Sequence, residues 1–596
     1  MQSRVRIEAF DYEGVRLRPS RWKDQADAAR EFYFGLSNDD ILHGYRRESG
    51  RPAPGAPLGG WCGHDSNTVL GQWLSGMSRM YRATGDARMR DKAVALASAW
   101  AQTIKADGDA GMRHYPFDKM VCGLLDLHLY AGYDAIPALE KITDFASRTF
   151  DRSNNLADPG HDTAYYGVPQ EWYTLSENLF RAYRATSNPR FKAFGEAWLY
   201  HAWWNKFAKT SAPTDAHGVH AYSHVNTFSS AAMAYDVLGD DAYLQIVRNG
   251  YDYLQQTQVY ATGAYGPNER FMAPDGSLGR ALETRSDTAE VVCGSWAGFK
   301  MARYLMRFTG EARYGDWIER LFYNGVGSAL PLTGRGRNFY YGDYRVGGGM
   351  KVYNWDTFTC CSGTYIQNTA DYHNLIYYRD DDSLYVNLYV PSDVTWKRGA
   401  QTVTIQQETL YPEAETSVLT VSPLRPTRFA LKLRVPLWTR GMSVKINDVA
   451  SSVEAKPGTW AVVDRTWNPG DRVEVTIPLT IRMEAVDRQH PDRVAVVRGP
   501  VVLILEGAYH AGRFRLPETD EELKTWLVPE KWSRPLAILT PAPTVDRDAR
   551  ETMSVFRVVP PDKGAVRLKF RPFYDTGEGY PYFMYFDRKS LPYRLW

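Results

Sequence analysis

Cysteine is scarce in this chain. There are five in 596 residues, an odd number, and two of them are adjacent. That excludes the paired framework of a disulfide-stapled secreted domain. No run of 18 apolar residues occurs, so no membrane-spanning helix is expected. The opening residues, MQSRVRIEAFDYEG, carry no apolar leader. A surplus of charge is missing too: 71 Lys and Arg face 69 Asp and Glu, leaving +2. Nucleic-acid binders ordinarily carry a basic patch on a basic domain, so that class is set aside. A chain this long buries sizeable cores and needs neither disulfide nor metal merely to fold.

Aromatic residues, by contrast, make up 14% of the chain, and many stand beside polar groups, as in QEWYT (170–174) and NFYYGDYR (338–345). Rings next to hydroxyls and carboxyls suit the faces and edges of sugars, although Tyr-rich sheets and helix interfaces account for them equally well.

The first 380 residues read as helices with a recurring joint. An amphipathic stretch ends in a small residue, and an Asp, Glu or Asn opens the next helix. The joints are YRATGDARM (81–89), LYAGYDAIP (129–137), YRATSNPRF (183–191), YDVLGDDAY (235–243) and MRFTGEARY (306–314). Their turn residues are Gly85, Gly132, Ser187, Gly239 and Gly310, spaced by 47, 55, 52 and 71 residues. This is a repeat of helical hairpins. With further helices near 22–36 and 361–376, about twelve result. The long loops all precede the first helix of a pair, which predicts a closed (α/α)6 barrel with a pocket at one mouth. After residue 380 the period falls to two, in stretches such as QTVTIQQET (401–409) and DRVEVTIPL (471–479). Short alternating strands separated by turn residues predict a β-sandwich. The expected organisation is an N-terminal strand segment (1–20), the barrel (21–380), a β-sandwich (381–490) and a second β-rich domain (491–596).

Six polar segments precede the first helices of the pairs: WCGHD (61–65), HYPFDK (114–119), QEWYT, HAYSHVNT (220–227), ETRSDTAEVVC (283–293) and TCCSGT (359–364). In a barrel they open onto one mouth. Helix capping explains Asp65, Thr288 and Ser362. It does not explain His64, Lys119, Glu171, His224 or adjacent cysteines. Thiols at a helix start are expected to have lowered pKa values. Cys360, Cys361 and Cys293, with Glu290 three residues before Cys293 on the same helix face, form a candidate four-coordinate site best suited to zinc. Buried free cysteines are the plain alternative. Glu269, in the Gly-rich segment TGAYGPNERF (262–271), is a candidate general acid.

At these residues the sequence resembles the glycoside hydrolases of family 127, the β-L-arabinofuranosidases. The resemblance spans most of the chain and rests on TCC (359–361), the TGxxGxxE-like segment (262–269), the Glu-plus-Cys motif (290–293) and TGEARYGDWIERLFYNGV (309–326). It implies an (α/α)6 barrel and a retaining mechanism. Cys360 matches the nucleophile, Glu269 the acid/base, and Glu290, Cys293, Cys360 and Cys361 the zinc ligands. His224 matches a substrate-binding histidine, and His64, Lys119, Glu171, Trp172 and Tyr341 are expected to line the sugar site.

Three departures stand out. The family has Glu-x-Cys where this chain has Glu290-Val-Val-Cys293, which leaves Glu283 and Asp287 as alternative carboxylates. Ser362-Gly363-Thr364 replaces a commonly Pro-rich stretch, and Phe117-Asp118 stands where many relatives carry a histidine before the lysine. The last two bear on which sugar is taken. Competing readings are a polysaccharide lyase using Tyr222, His224 and Asn226, a two-carboxylate glycosidase using Glu269 and Glu171, and a non-catalytic sugar-binding protein. Expected partners are a glycan and at most a second copy of the chain, with no nucleic acid and no membrane. The expected location is the cytoplasm, or the periplasm or exterior if a leader was removed.

Overall fold

A computed structural model of the protein describes residues 4–62, 69–150, 171–506, 515–533, 551–558 and 568–589. Among the described residues, twelve helices build the barrel: α1 (Arg21–Gly35), α2 (Leu70–Thr84), α3 (Ala87–Ala101), α4 (His114–Ala131), α5 (Ile136–Thr149), α6 (Leu175–Thr186), α7 (Pro189–Ala197), α8 (Ala221–Leu238), α9 (Asp241–Thr257), α10 (Val291–Thr309), α11 (Gly315–Asn324) and α12 (Cys360–Asp371). The inner ring is α2, α4, α6, α8, α10 and α12. Each packs on the next, and α12 packs on α2 to close the circle. Outer helices α3, α5, α7, α9 and α11 each pack on the inner helix preceding them in the chain, and α1 covers α12. The helix Asn38–Glu48 packs outside α3.

The five joints fall where the turn residues stand. Gly85, Gly132, Gly239 and Gly310 end α2, α4, α8 and α10 in left-handed conformation, and Ser187 ends α6 in the same way at φ 57°. Asp86, Asn188 and Asp240 then cap the outer helices through their side chains. The joints are therefore tight and leave the long loops to the opposite mouth. Neighbouring inner helices touch backbone to backbone at one crossing: a Cβ on Gly71 would lie 2.2 Å from the Lys119 carbonyl, and one on Gly123 would lie 2.3 Å from that of Gly71.

At the level of the joints the barrel is filled by charge. Arg79 bridges Asp126 at 2.8 Å and Asp371 at 3.0 Å, Arg181 reaches Asp126 at 2.6 Å, and Arg303 reaches Asp371 at 2.8 Å. Five inner helices are tied together by this network, and both aspartates are fully buried.

Two sheets then pack face to face. One has five strands, running from Glu8–Ala9 through Tyr377–Arg379, Ser383–Val386 and Thr427–Arg434 to Trp460–Trp467. The other has seven, with Val15–Leu17 at one edge beside Ser392–Arg398. Trp396 from the second sheet meets Phe429 and, through it, Trp467 of the first. The N-terminal segment thus supplies an edge strand to each sheet. A third sheet gathers the C-terminal strands. It includes Ile481–Ala485, ahead of residue 491, because that strand pairs along its length with Arg493–Arg498.

The sandwich is docked on α11. Arg434, fully buried, binds Asp316 at 2.9 Å and Glu319 at 2.8 Å, and the Trp438 indole donates to Glu319 at 2.9 Å. The Trp460 indole donates to the Gly310 carbonyl at 2.7 Å. These two indoles tie the sandwich to the barrel.

Candidate active site

The site lies at the mouth opposite the joints, where the six inner helices begin. The segment before α2 includes His64, which lies outside the described residues.

Glu290 is the residue ahead of α10, not part of it. Ala289–Glu290 forms a two-residue ladder with Tyr341–Gly342, which keeps Glu290 extended at φ −79°, ψ 101°. The shared helix face expected for Glu290 and Cys293 is therefore replaced by a strand-to-helix step. That step lets the longer Glu-x-x-Cys spacing bring both side chains together. Glu283 is drawn off to Arg493 at 3.1 Å and Asp287 to Arg285 at 2.7 Å, so neither joins them.

Cys360 and Cys361 open α12 behind Thr359. The donor atoms of Glu290, Cys293, Cys360 and Cys361 all lie within 4.8 Å of one another, and all four residues are buried. Glu290 Oε1 is 3.5 Å from Cys360 Sγ and 3.7 Å from Cys361 Sγ, and Cys361 Sγ is 3.4 Å from Cys293 Sγ. Ligands about 2.3 Å from a tetrahedral ion would be separated by about 3.8 Å. The donor set is soft and acidic, and Glu290 Oε2 has no hydrogen-bond partner among the described residues. The residues present fit a soft divalent ion.

Electrostatics point the same way. Burial and the neighbouring Cys360 and Glu269 charges raise Glu290, and burial together with Cys360 raises Cys293 and Cys361. Cys360 goes down instead. Burial opposes its ionisation, but hydrogen bonds from Cys293, Cys361 and Tyr340 outweigh it. Of the adjacent pair, only Cys360 thus has the lowered pKa expected at a helix start. Four acids buried together cannot all ionise without a cation.

Glu269 faces this cluster from its loop. Asn268 and Glu269 both have positive φ, 54° and 56°, conformations that non-glycine residues adopt at a cost of about 1–3 kcal/mol each. The loop is held by Asn268 N donating to the Asp287 carbonyl at 2.9 Å and by a backbone bridge between His220 and Arg270. Glu269 Oε2 is 3.1 Å from His220 Nε2, and Oε1 accepts from the Tyr341 hydroxyl. Burial would raise Glu269, yet the His220 and Tyr341 hydrogen bonds hold it below the ordinary carboxyl value. His220 in turn is raised, with the Glu269 interaction overcoming burial.

Lys119 Nζ lies 3.2 Å from Asp118 and 3.6 Å from Glu171. Asp118 is also bound by Thr174 and Asn178. Glu171, at φ 59°, is raised by burial against the opposing pull of Lys119. Trp172 packs behind it on Tyr173, Trp198 and Tyr200. His224 is fully buried among Tyr173, Tyr200 and Trp203, and its Nδ1 donates to the His220 carbonyl at 2.8 Å. The histidine that reaches the carboxylate is His220, four residues earlier. Tyr340, beside the Tyr341 singled out in the sequence, places its hydroxyl 3.3 Å from Cys360 Sγ. The signal for His220 was its place directly before a long buried helix, where its ring caps Ser223 N.

The family model described as "Beta-L-arabinofuranosidase, GH127 catalytic domain" matches residues 14–109 and 93–374, and that of the GH127 middle domain matches 383–479. No curated protein matches the sequence. Among solved structures, a GH127 beta-arabinofuranosidase is similar with a TM-score of 0.76 at 18% identity, over 98% of each chain. A GH127 beta-L-arabinofuranosidase from Geobacillus stearothermophilus T6 gives 0.72 at 19%, over 96% of this chain and 100% of its own. A third, described as a glycoside hydrolase, gives 0.71 at 17%, over 97% of each. At such identities these likenesses establish the fold, a helical barrel followed by a β-sandwich.

Proposed function

Since the chain belongs to the glycoside hydrolase family 127 β-L-arabinofuranosidases and is therefore a glycoside hydrolase acting on a glycan, we propose that it cleaves a terminal β-L-arabinofuranoside, or a related sugar of plant-type glycans, with retention. The observation that carries the reading is the buried cluster of Glu290, Cys293, Cys360 and Cys361, whose donor atoms lie within 4.8 Å of one another at the mouth that Glu269 faces.

In this reading the cluster holds zinc through Glu290, Cys293, Cys360 and Cys361. When bound, the ion supplies the positive charge that lets these acids stay ionised together in a buried site. Cys360 Sγ attacks the anomeric carbon, forming a C–S bond as the glycosidic C–O bond breaks. Glu269 gives its proton to the leaving oxygen. Glu269 then takes a proton from water as that water attacks the same carbon, the C–S bond breaks, and the thiolate returns. Two inversions give net retention, with sulfur in place of the second carboxylate of the usual retaining pair. His220 and Tyr341 orient Glu269, and Tyr340 donates to the sulfur. Lys119 and Glu171 are the polar groups offered to sugar hydroxyls.

The lyase reading loses support because Tyr222, His224 and Asn226 are each no more than 2% exposed. The direct test follows an aryl β-L-arabinofuranoside by proton NMR, alongside zinc content in the wild type, Cys360→Ala and Cys293→Ala. The expected results are first formation of the β anomer and one zinc per chain, lost or much reduced in both variants. First formation of the α anomer overturns retention, and a zinc-free wild type overturns the thiolate mechanism.

A further inference from the structure

Two groups of side chains among the described residues can hold an ion, and they share Glu290. The second is His220, Glu269 and Glu290, whose ligand atoms also lie within 4.8 Å of one another. The thiolate cluster uses Glu290 Oε1, while Oε2 has no hydrogen-bond partner among the described residues although Glu290 is only 3% exposed. A carboxylate with one oxygen engaged and the other buried and unpaired is suited to bridging two ions.

The other two members are braced from behind. His220 Nδ1 lies 2.8 Å from Ser223 Oγ, which is itself 2.6 Å from the Tyr173 hydroxyl. Glu269 Oε1 is occupied by Tyr341, leaving Oε2 toward His220. Anchoring the far atom of each ligand is how proteins orient groups that bind metals. The side chains of His220 and Glu269 are 24% and 12% exposed, so an ion can arrive from the mouth.

We propose that His220, Glu269 and Glu290 form a second, inhibitory site for a borderline divalent ion such as Zn²⁺, joined to the thiolate site through Glu290. The ion displaces the proton that His220 Nε2 shares with Glu269 Oε2, releasing it to water, and takes the Nε2 lone pair. The remaining ring proton then sits on Nδ1, which turns from accepting Ser223 N to donating to Ser223 Oγ. The ion also takes Glu269 Oε2, so the carboxylate can no longer hand over or recover a proton. One imidazole and two carboxylates suit zinc, whereas the thiolate site is softer. The second ion therefore binds more weakly than the first and acts only when zinc is in excess.

This inference rests on the thiolate cluster being a metal site. Its test is stepwise titration of the metal-stripped full chain with Co²⁺, read by absorption and calorimetry. The first equivalent is expected to give the intense near-ultraviolet thiolate-to-cobalt band. A second, weaker equivalent adds only faint visible absorption. His220→Asn and Glu269→Gln should each keep the first equivalent and lose the second. In the wild type, zinc beyond one equivalent should lower kcat by at least about 10²-fold at saturation, the scale of lost acid/base catalysis. Saturation at one equivalent, or a second equivalent indifferent to both variants, overturns the inference and leaves the catalytic reading standing. Absence of the thiolate band overturns the catalytic metal reading, and the inference with it.

Discussion

His220 Nε2 lies 3.1 Å from Oε2 of Glu269, and that contact sets the proton affinity of both groups. Burial alone would raise Glu269, and His220 is the largest influence holding it down. His220→Gln removes that influence, so the Glu269 pKa should rise. The acid form of Glu269 is needed for the first step. The alkaline limb of kcat/KM should therefore move to higher pH while the maximum falls. A lower maximum with an unmoved limb would assign His220 a purely structural role.

Glu269→Gln should reduce kcat by about 10²–10⁴-fold on a substrate with a poor leaving group and much less on an activated aryl glycoside. Azide should restore turnover of the activated substrate and yield a glycosyl azide of retained configuration. Failure of azide to rescue, with the folded state intact, would argue against Glu269 as acid/base.

Asp126 gives a stability prediction with a defined pH window. Burial opposes its charge, but Arg79 and Arg181 bring it down to about 2. A depressed carboxyl stabilises the fold above its unfolded pKa of about 3.9, and the benefit fades as pH falls through the folded value. Asp126→Ala strips a buried partner from two arginines, so it should cost about 3–5 kcal/mol at neutral pH in chemical unfolding. The gap to wild type should shrink between about pH 4 and 2. A pH-independent gap would show that the arginines do not set it.

Gly71→Ala should also destabilise, by about 1–3 kcal/mol, because overpacked backbones must shift. The added methyl meets the Lys119 carbonyl at 2.2 Å, so KM should rise along with the loss of stability. Normal kinetics in a destabilised variant would separate Lys119 from the sugar site.

Much of this was legible in the chain because the signals are local. A small residue that tolerates left-handed backbone, followed by Asp or Asn, fixes each joint without reference to anything distant. Adjacent cysteines were conspicuous for the same reason. What failed to show was tertiary. Glu290 reads as helical beside Cys293, and only pairing with Tyr341 reveals it as extended. His220 and His224 both stand in HAYSHVNT, and nothing local tells which one meets the carboxylate. The bridge from His220 to Arg270 decides it. The Glu283 and Asp287 alternatives likewise fall away only once their arginine partners are seen.

The edge strands Glu8–Ala9 and Val15–Leu17 bear on how the protein is made. Their partners, Tyr378–Arg379 and Ser392–Val394, are synthesised only after the whole barrel. These two strands must therefore wait, unpaired, while the barrel helices follow. Contacts this distant in sequence form slowly. Assembly of the sandwich is then a late event that sews the two ends of the barrel segment together. A chain stalled before residue 377 would present two unpaired strand edges to any neighbour able to accept them.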